Sequence, residues 1–468
     1  MSSRAAAVMV AVLCLSSPRP ASAQVADADP PPARPAILFN RWQEDWSVLA
    51  DPTLRTEPFD DLKYIPLWTA VPGSYLSLGL NLRERFESNA APSFGIGRKA
   101  EDYVIQRLEI DSDLHLDRNW QVFVQLEDDR AFGNITPSPV DADQLDLEQG
   151  FVAYTTPFAG GDLKFRVGRQ EIGFDLQRFV SVRDGPNVRQ AFDAAWLDWE
   201  ASPWRVITFW SRPVQYRNTE PFDDYSNGRF QYGGFRVERK EVGPGSLSAY
   251  YSRYQLDDAH YLFAAGEERR DILDLRYAGA LAGFDWDLEA MGQGGEVGAK
   301  AVRAWAVGTL TGYTFSGFEW RPRLGLQVDA ASGNQHADGN KDGTFNPLFP
   351  NGYYLTLAGY TGYVNLIHVK PSVTVEPIAE LKVMAATGLQ WRETVSDAIY
   401  TQPNIAVPGT AGTPGRWTGA YGQLRADYAF NGHLSGAVEA VHFAVGDAIR
   451  RAGGHDSDYV GVELKFGW

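Results

Sequence analysis

Arginine side chains at alternate positions are the residues of this sequence best suited to bind an anion. A guanidinium group donates two parallel hydrogen bonds to one carboxylate, so several of them around one space would attract an acidic solute. Alternate residues of a β-strand point to the same side of the sheet. The candidate anion-binding residues are Arg83, Arg85, Arg107, Arg166, Arg392 and Arg425 in predicted strands, and Arg183 and Arg189 in a long predicted loop.

The predicted inward faces carry acidic and basic residues in equal number when lysines are counted, and the acids include Glu109, Asp111 and Glu127. Two interpretations therefore stay open. The arginines bind a transported anion, or they pair with these carboxylates and hold the wall together. Both can hold at once, because different arginines can serve different purposes.

A calcium site is suggested by Asp338, Asn340 and Asp342, whose spacing D-x-N-x-D-G copies the first half of a calcium-binding loop. Phe349 stands where such a loop carries its bidentate glutamate. A structural calcium ion in this surface loop is one interpretation, and an ordinary Asx-rich turn is the other. No other cofactor is expected.

One residue pair of the sequence resembles a catalytic motif. His433 and Ser435 resemble the His-x-Ser pair of outer-membrane phospholipases, but they lie at a predicted tight turn. The sequence contains no HExxH, GxSxG or P-loop spacing, so we predict that the chain is not an enzyme. Its formal charge of −16, from 43 basic and 59 acidic residues, argues against binding to nucleic acid.

The arginines lie in short segments in which apolar and polar residues alternate, the pattern of strands with one apolar face. Every second residue from Leu76 to Leu82 is leucine, and Arg83 and Arg85 fall on the opposite face. About eighteen such segments lie between residue 75 and the C-terminus, among them 281–293 and 319–332. We predict an all-β fold, a transmembrane antiparallel up-and-down β-barrel of about eighteen strands with a water-filled lumen.

The connections between these segments alternate between tight turns, such as Asp117-Arg118, Ala278–Leu281 and Asn431-Gly432, and long polar loops. This alternation is typical of a membrane barrel whose two termini both lie in the periplasm. The long loop Gly173–Ala191 can fold into the lumen and narrow it. The last segment ends on the aromatic Trp468 and must pair with the first, since a membrane tolerates no free strand edge.

The N-terminal part has a different character. Residues 1–23 combine Arg4, an apolar run and a small-residue cleavage site, which predicts a signal peptide. Residues 24–73 are predicted to form a periplasmic or lumen-packing arm, and residues 74–468 the barrel. The predicted location is the bacterial outer membrane, with lipid and lipopolysaccharide around the barrel. Cys14, the only cysteine, falls within the signal peptide.

Several motifs resemble the alginate export family of outer-membrane barrels. They are Leu80–Glu87, the stretch from Val167 through Phe179–Arg189 to Asp193, and Gly343–Pro350. The resemblance implies an eighteen-stranded barrel with an arginine-rich constriction, through which the polyuronate alginate leaves the periplasm. It also implies that Arg169 is a lumen arginine, together with Arg83, Arg107, Arg166 and Arg392.

The predicted function is therefore a channel for an anionic saccharide or similar solute, with a periplasmic export partner as an expected associate. The acidic residues depart from a uniformly basic conduit, so alginate itself is not fixed as the substrate. A general or uptake porin for small solutes is the alternative in the same class. A barrel that serves adhesion or surface structure without conducting is the alternative from another class.

Overall fold

The computed structural model describes residues 34–68, 70–136 and 138–468, so the predicted signal peptide lies outside the described residues. Eighteen long antiparallel strands form one closed ring, because β1 pairs with both β2 and β18. The strands are β1 (Tyr75–Asn89), β2 (Glu101–His115), β3 (Trp120–Asn134), β4 (Asp143–Phe158), β5 (Gly161–Glu171), β6 (Ala191–Ala201), β7 (Trp204–Gln215), β8 (Phe230–Val242), β9 (Gly245–His260), β10 (Ala265–Leu281), β11 (Phe284–Val297), β12 (Lys300–Thr314), β13 (Arg323–Ala331), β14 (Leu366–Ile378), β15 (Leu381–Trp391), β16 (Trp417–Ala429), β17 (Leu434–Val445) and β18 (Ser457–Gly467). The predicted all-β barrel is confirmed.

The alternating pattern explains why these residues form a membrane barrel. In β18, Val460, Val462 and Leu464 lie on the outer face and are exposed, whereas Tyr459 on the inner face is buried. In β1 the leucines from Leu76 to Leu82 are half-buried and Phe86 is exposed, whereas Arg83 and Arg85 on the opposite face are buried. An outer apolar band of this kind is what a barrel presents to lipid. None of the described residues forms a helix long and apolar enough to cross a membrane.

Two strand boundaries differ from the segments 281–293 and 319–332 that the sequence predicts. The tenth strand continues to Leu281, which pairs with Phe284 across the turn Ala282-Gly283, so a predicted turn at Ala278–Leu281 is wrong. The small residues there are compatible with a strand, and Gly283 adopts the positive φ of 89° that the turn requires. The thirteenth strand begins at Arg323.

Two long loops fold into the barrel. Residues 172–190, between β5 and β6, are called here the crossing loop, and residues 332–365, between β13 and β14, the second inward loop. The loops bond to each other, since the backbone N–H of Phe349 donates to the carbonyl of Phe179 at 2.9 Å. Phe349 also packs against the inner-face residues Phe192 and Tyr232. The main apolar cluster of the protein therefore lies inside the barrel.

The segment before β1 packs against the inside of the barrel at the rim of the short turns. It contains short 3-10 helices, Arg41–Gln43, Ser47–Ala50 and Pro52–Leu54, and one helical turn, α1 (Asp60–Lys63). The Arg41 guanidinium donates to Asn81 Oδ1 and to the Trp468 carbonyl, each at 2.8 Å. The Lys63 ammonium donates to the Leu78 carbonyl at 2.7 Å. These contacts attach the arm to the first and last strands.

Candidate functional site

The crossing loop spans the barrel from one wall to the other. On one side, Arg178 pairs with Asp287 of β11 at 2.7 Å. On the other side, Arg107 of β2 pairs with Asp184 at 2.7 Å, and Arg83 of β1 donates to the Gly185 carbonyl at 2.8 Å. Strands β2 and β11 lie half-way around the ring from each other. The loop therefore divides the interior into two spaces.

Asp184 is the charged centre of the loop's attachment to β1, β2 and β18. Its carboxylate lies 2.7 Å from Arg107 and 3.3 Å from Lys465. Burial alone would raise the pKa of Asp184, but Lys465, Arg107 and Arg189 hold it well below its usual range. The carboxylate stays ionised, so the attachment does not depend on pH near neutrality.

Two predicted anion-binding arginines are instead engaged with carboxylates of the wall. Arg85 lies 2.5 Å from Glu87 and 2.6 Å from Glu439. Arg425 pairs with Glu439 as well and lies 2.7 Å from Asp427. For these two residues the structure supports the interpretation in which arginines hold the wall together.

The two predicted arginines of the crossing loop differ from each other. Arg189 is buried between Glu109 and Glu171, each at 2.7 Å, and fixes the loop to β2 and β5. The Arg183 guanidinium forms no ion pair with any described residue and donates only to Gln190 Oε1, at 3.2 Å. Burial lowers the pKa of Arg183. It lines a second, smaller cavity of about 340 Å³ on the long-loop side of the crossing loop.

Arg392 and Arg169 do not face the conduit. The Arg392 guanidinium donates to the backbone carbonyls of Thr410 and Thr413, at 2.6 and 2.7 Å, and so holds the loop between β15 and β16 in shape. Arg169 lies two residues from the exposed Val167, on the same outer face of β5, and pairs with Asp193 at 3.0 Å. The prediction that Arg169 is a lumen arginine is wrong, because its position in β5 is out of phase with that of the inward-facing Arg166.

The three side chains of the calcium motif lie in different surroundings. Asp338 and Asn340 are exposed, whereas Asp342 is buried, lies 3.7 Å from Arg270 and accepts a hydrogen bond from the Thr344 backbone N–H at 3.0 Å. The turn interpretation fits this arrangement better, because Asp342 is oriented toward protein donors.

A cavity of about 1200 Å³ lies between the crossing loop and the rim of the short turns. Arg166 of β5 lines it and is 4% exposed. This guanidinium donates no hydrogen bond to any described residue and forms no ion pair with one. It lies 4.3 Å from the ring centre of Trp42 and 5.6 Å from that of Trp196. Arg166 is thus an inward cation without an acidic partner in the described structure, beside an aromatic surface.

Several of the other charges around this cavity have partners. Lys164 adds a second positive charge to the cavity wall beside Arg166, and it also forms no ion pair with the described residues. Arg205 is paired with Asp198, its Nε lying 2.9 Å from Oδ1. Glu171 is paired with Arg189. A charge that has a close partner contributes little to the attraction of a solute. Asp45, Asp117 and Asp162 also line the cavity, so its charge is mixed, and Lys164 and Arg166 are two neighbouring unpaired cations on the β5 side of its wall, among the described residues.

The aromatic surface comes from the arm, and sequence reasoning did not assign it. The Trp42 carbonyl accepts a hydrogen bond from the Gln121 side chain at 2.8 Å, which places the Trp42 ring against Phe151 and beside Arg166. Asp184 was missed as well. The available signal was its position in the Arg183–Arg189 motif between two arginines, but only the fold shows which wall it meets.

The family model for alginate export matches residues 74–463. The chain belongs to the alginate export family. Its members are outer-membrane channels, and this chain is accordingly an outer-membrane β-barrel channel. The fold is that of a transport barrel and the location is the bacterial outer membrane.

Solved porins of Pseudomonas aeruginosa share the fold. OccK2 (OpdF), solved in complex with glucuronate, is 12% identical, with a TM-score of 0.54 over 84% of this chain and 96% of that one. OccK9 (OpdG) is 13% identical, with a TM-score of 0.55 over 84% and 98%. OpdK is 12% identical, with a TM-score of 0.54 over 84% and 98%. Among curated proteins, none matches this sequence.

Proposed function

We propose that this member of the alginate export family passes an anionic saccharide, and that Arg166 and Lys164 form its first anion-binding position above the short-turn rim. The observation that carries the proposal is the buried Arg166 guanidinium, which faces a cavity of about 1200 Å³ and has no acidic partner in the described structure. A buried charge without a partner is costly, so a transient anionic ligand would stabilise it.

The chemistry of the site suits a uronate sugar. A guanidinium binds a carboxylate through two parallel hydrogen bonds. The Trp42 and Trp196 rings offer apolar surface beside it, on which the apolar face of a pyranose ring can pack. OccK2, which shares only the fold, was solved with glucuronate, and this makes glucuronate a sensible first probe for the present chain.

The short-turn rim and both termini would face the periplasm, and the long loops the cell exterior, as is usual for barrels of this kind. In this orientation the arm and the cavity beside Arg166 are the first surfaces that a periplasmic solute or export partner meets. Lipid and lipopolysaccharide would contact the outer apolar band. We assign the chain a transport function and no catalytic one.

The experiment is single-channel recording of the purified mature protein in planar bilayers. A reversal potential measured under a salt gradient should show anion preference, and an oligouronate should block the current more strongly than a neutral oligosaccharide of equal length. Cation preference would remove the anion interpretation. Equal block by charged and neutral sugars would favour the general porin, and absence of conductance would favour a structural or adhesion barrel.

A further inference from the structure

Three aspartates meet at the rim of the long loops, whereas the cavity beside Arg166 lies toward the rim of the short turns. Asp143 is the first residue of β4, and Asp223 and Asp224 lie in the loop 216–229 after β7. One carboxylate oxygen from each residue lies within 4.8 Å of the others. This is the largest separation expected for two oxygens on one calcium ion, since calcium–oxygen distances of about 2.4 Å place opposite ligands about 4.8 Å apart.

The packing of loop 216–229 on the start of β4 brings the three residues together. The Phe222 backbone N–H donates to the Leu145 carbonyl at 3.1 Å, and the Asp224 backbone N–H donates to Asp146 Oδ2 at 3.1 Å. The cluster is therefore produced by contacts between segments that are far apart in the sequence. A ligand that binds it would fasten those segments to each other.

The buried carboxylate oxygens of this cluster have no partners in the protein. Asp143 is 6% exposed, its carboxylate forms no hydrogen bond or ion pair with any described residue, and its Oδ1 is fully buried. Asp223 Oδ1 is buried without a partner as well. The neighbouring Arg169 is engaged with Asp193 at 3.0 Å. An ionised carboxylate buried without a donor is strongly unfavourable, so a cation that bound Asp143 would stabilise its charged form.

One carboxylate oxygen of Asp223 and one of Asp224 accept hydrogen bonds from the loop backbone, and these bonds fix the orientation of the other oxygen of each residue. Asp224 Oδ1 accepts from the Arg217 backbone N–H at 2.8 Å, and Asp223 Oδ2 accepts from the Glu220 backbone N–H at 3.3 Å. The loop backbone thus fixes one oxygen of each residue and leaves the other available for a ligand.

We propose that Asp143, Asp223 and Asp224 bind a hard divalent cation of the calcium type at the long-loop rim. Carboxylate oxygens are the preferred ligands of such an ion, and water can complete its coordination at an open rim. The ion joins loop 216–229 to β4.

The position of the site gives the ion a structural consequence for the conduit. Residue Val140, in the loop that leads into β4, accepts hydrogen bonds from the backbone N–H groups of Asn187 and Val188, at 3.1 and 3.0 Å. These two residues belong to the crossing loop. An ion that fixes the start of β4 therefore also steadies the segment to which the crossing loop is bonded.

The test uses the full mature protein, refolded in detergent without lipopolysaccharide, and Tb³⁺ as the probe. Tyr225 is adjacent in sequence to Asp224, so excitation of tyrosine should produce Tb³⁺ luminescence that Ca²⁺ displaces. The variants D143N and D224N should each weaken binding by at least about tenfold, the size of effect expected when the shell of a metal site is altered. D338N, in the exposed calcium-like motif, is the matched control and should bind as the wild type does.

Heat-modifiable gel mobility shows whether each variant is folded. Asparagine is nearly isosteric with aspartate, so we expect each variant to form the barrel. Binding that is equal in the wild type, D143N and D224N overturns the proposal. Loss of binding in D338N alone also overturns it, since the ion would then occupy the other loop. Mg²⁺ that displaces Tb³⁺ better than Ca²⁺ does would contradict the assignment to the calcium type.

Discussion

Replacement of Arg166 by glutamine tests the proposed anion-binding position. The variant keeps a polar side chain of similar length and removes one positive charge from the wall of the cavity. Arg166 forms no ion pair with a described residue, so its charge acts on the solute without first being neutralised. We expect the anion-to-cation permeability ratio to fall while the barrel remains folded.

The magnitude follows from Coulomb's law. An anion about 4 Å from the guanidinium gains about 1 kcal/mol at the dielectric constant of water and about 4 kcal/mol at an effective value near 20. Arg166 borders an open cavity, so we take about 1–2 kcal/mol, which corresponds to a factor of about 5–30 in the ratio. In 1 M salt the screening length falls to about 3 Å, so the difference should shrink.

The assay is the reversal potential in planar bilayers under a potassium chloride gradient. Arg253→Gln is the matched control, because Arg253 is an exposed arginine of β9 that pairs with Asp271 at 2.7 Å on the outer face. It removes the same charge from outside the lumen and should leave the ratio unchanged. The reasoning is refuted if Arg166→Gln leaves the ratio unchanged, or if both variants lower it equally.

Three further predictions address the loops and the arm. Asp184→Asn should loosen the crossing loop and give larger, noisier single-channel currents, because it removes the charge that pairs with the buried Arg107 and with Lys465. Trp42→Ala should weaken oligouronate block by about two- to tenfold, the range expected for a lost aromatic contact, and leave small-ion selectivity unchanged because Arg166 remains. Burial, together with nearby Arg41, lowers the pKa of Lys63 from 10.5 to about 8 in the docked arm. Between pH 8 and 10.5 the released arm therefore binds more protons than the docked arm, so docking should strengthen as the pH rises through this range. A tryptophan-fluorescence titration should show this transition.

Each of these predictions has a control. Asp258→Asn, at an exposed aspartate near the end of β9, is the control for Asp184→Asn and should leave the currents unchanged. Quiet, wild-type-like currents in Asp184→Asn would show that other contacts hold the crossing loop. If Trp42→Ala weakens block by a neutral oligosaccharide as much as it weakens block by an oligouronate, the role of the ring is purely steric. The fluorescence transition should be absent in Lys63→Met. If it persists there, another group is responsible.

The barrel could be predicted closely because its signal is local. Alternation in β18 and the short turn at Asn431-Gly432 are visible within a few residues, and the requirement for a closed edge follows from the membrane. Errors arose where small residues allowed a strand to continue, as at Ala278–Leu281. The phase of Arg169 was wrong for a related reason, because its assignment came from a motif instead of from the alternation in β5.

The sequence by itself determined the class of molecule: a closed antiparallel barrel of the alginate export family with arginines on its strands. Only the tertiary structure decided which arginines keep their charge available. Arg85 and Arg189 are paired with carboxylates from distant strands, whereas Arg166 meets aromatic rings. Strand periodicity depends on neighbouring residues and can be read along the chain, but the pairing of charges across a lumen depends on which walls and loops the closed ring brings into contact.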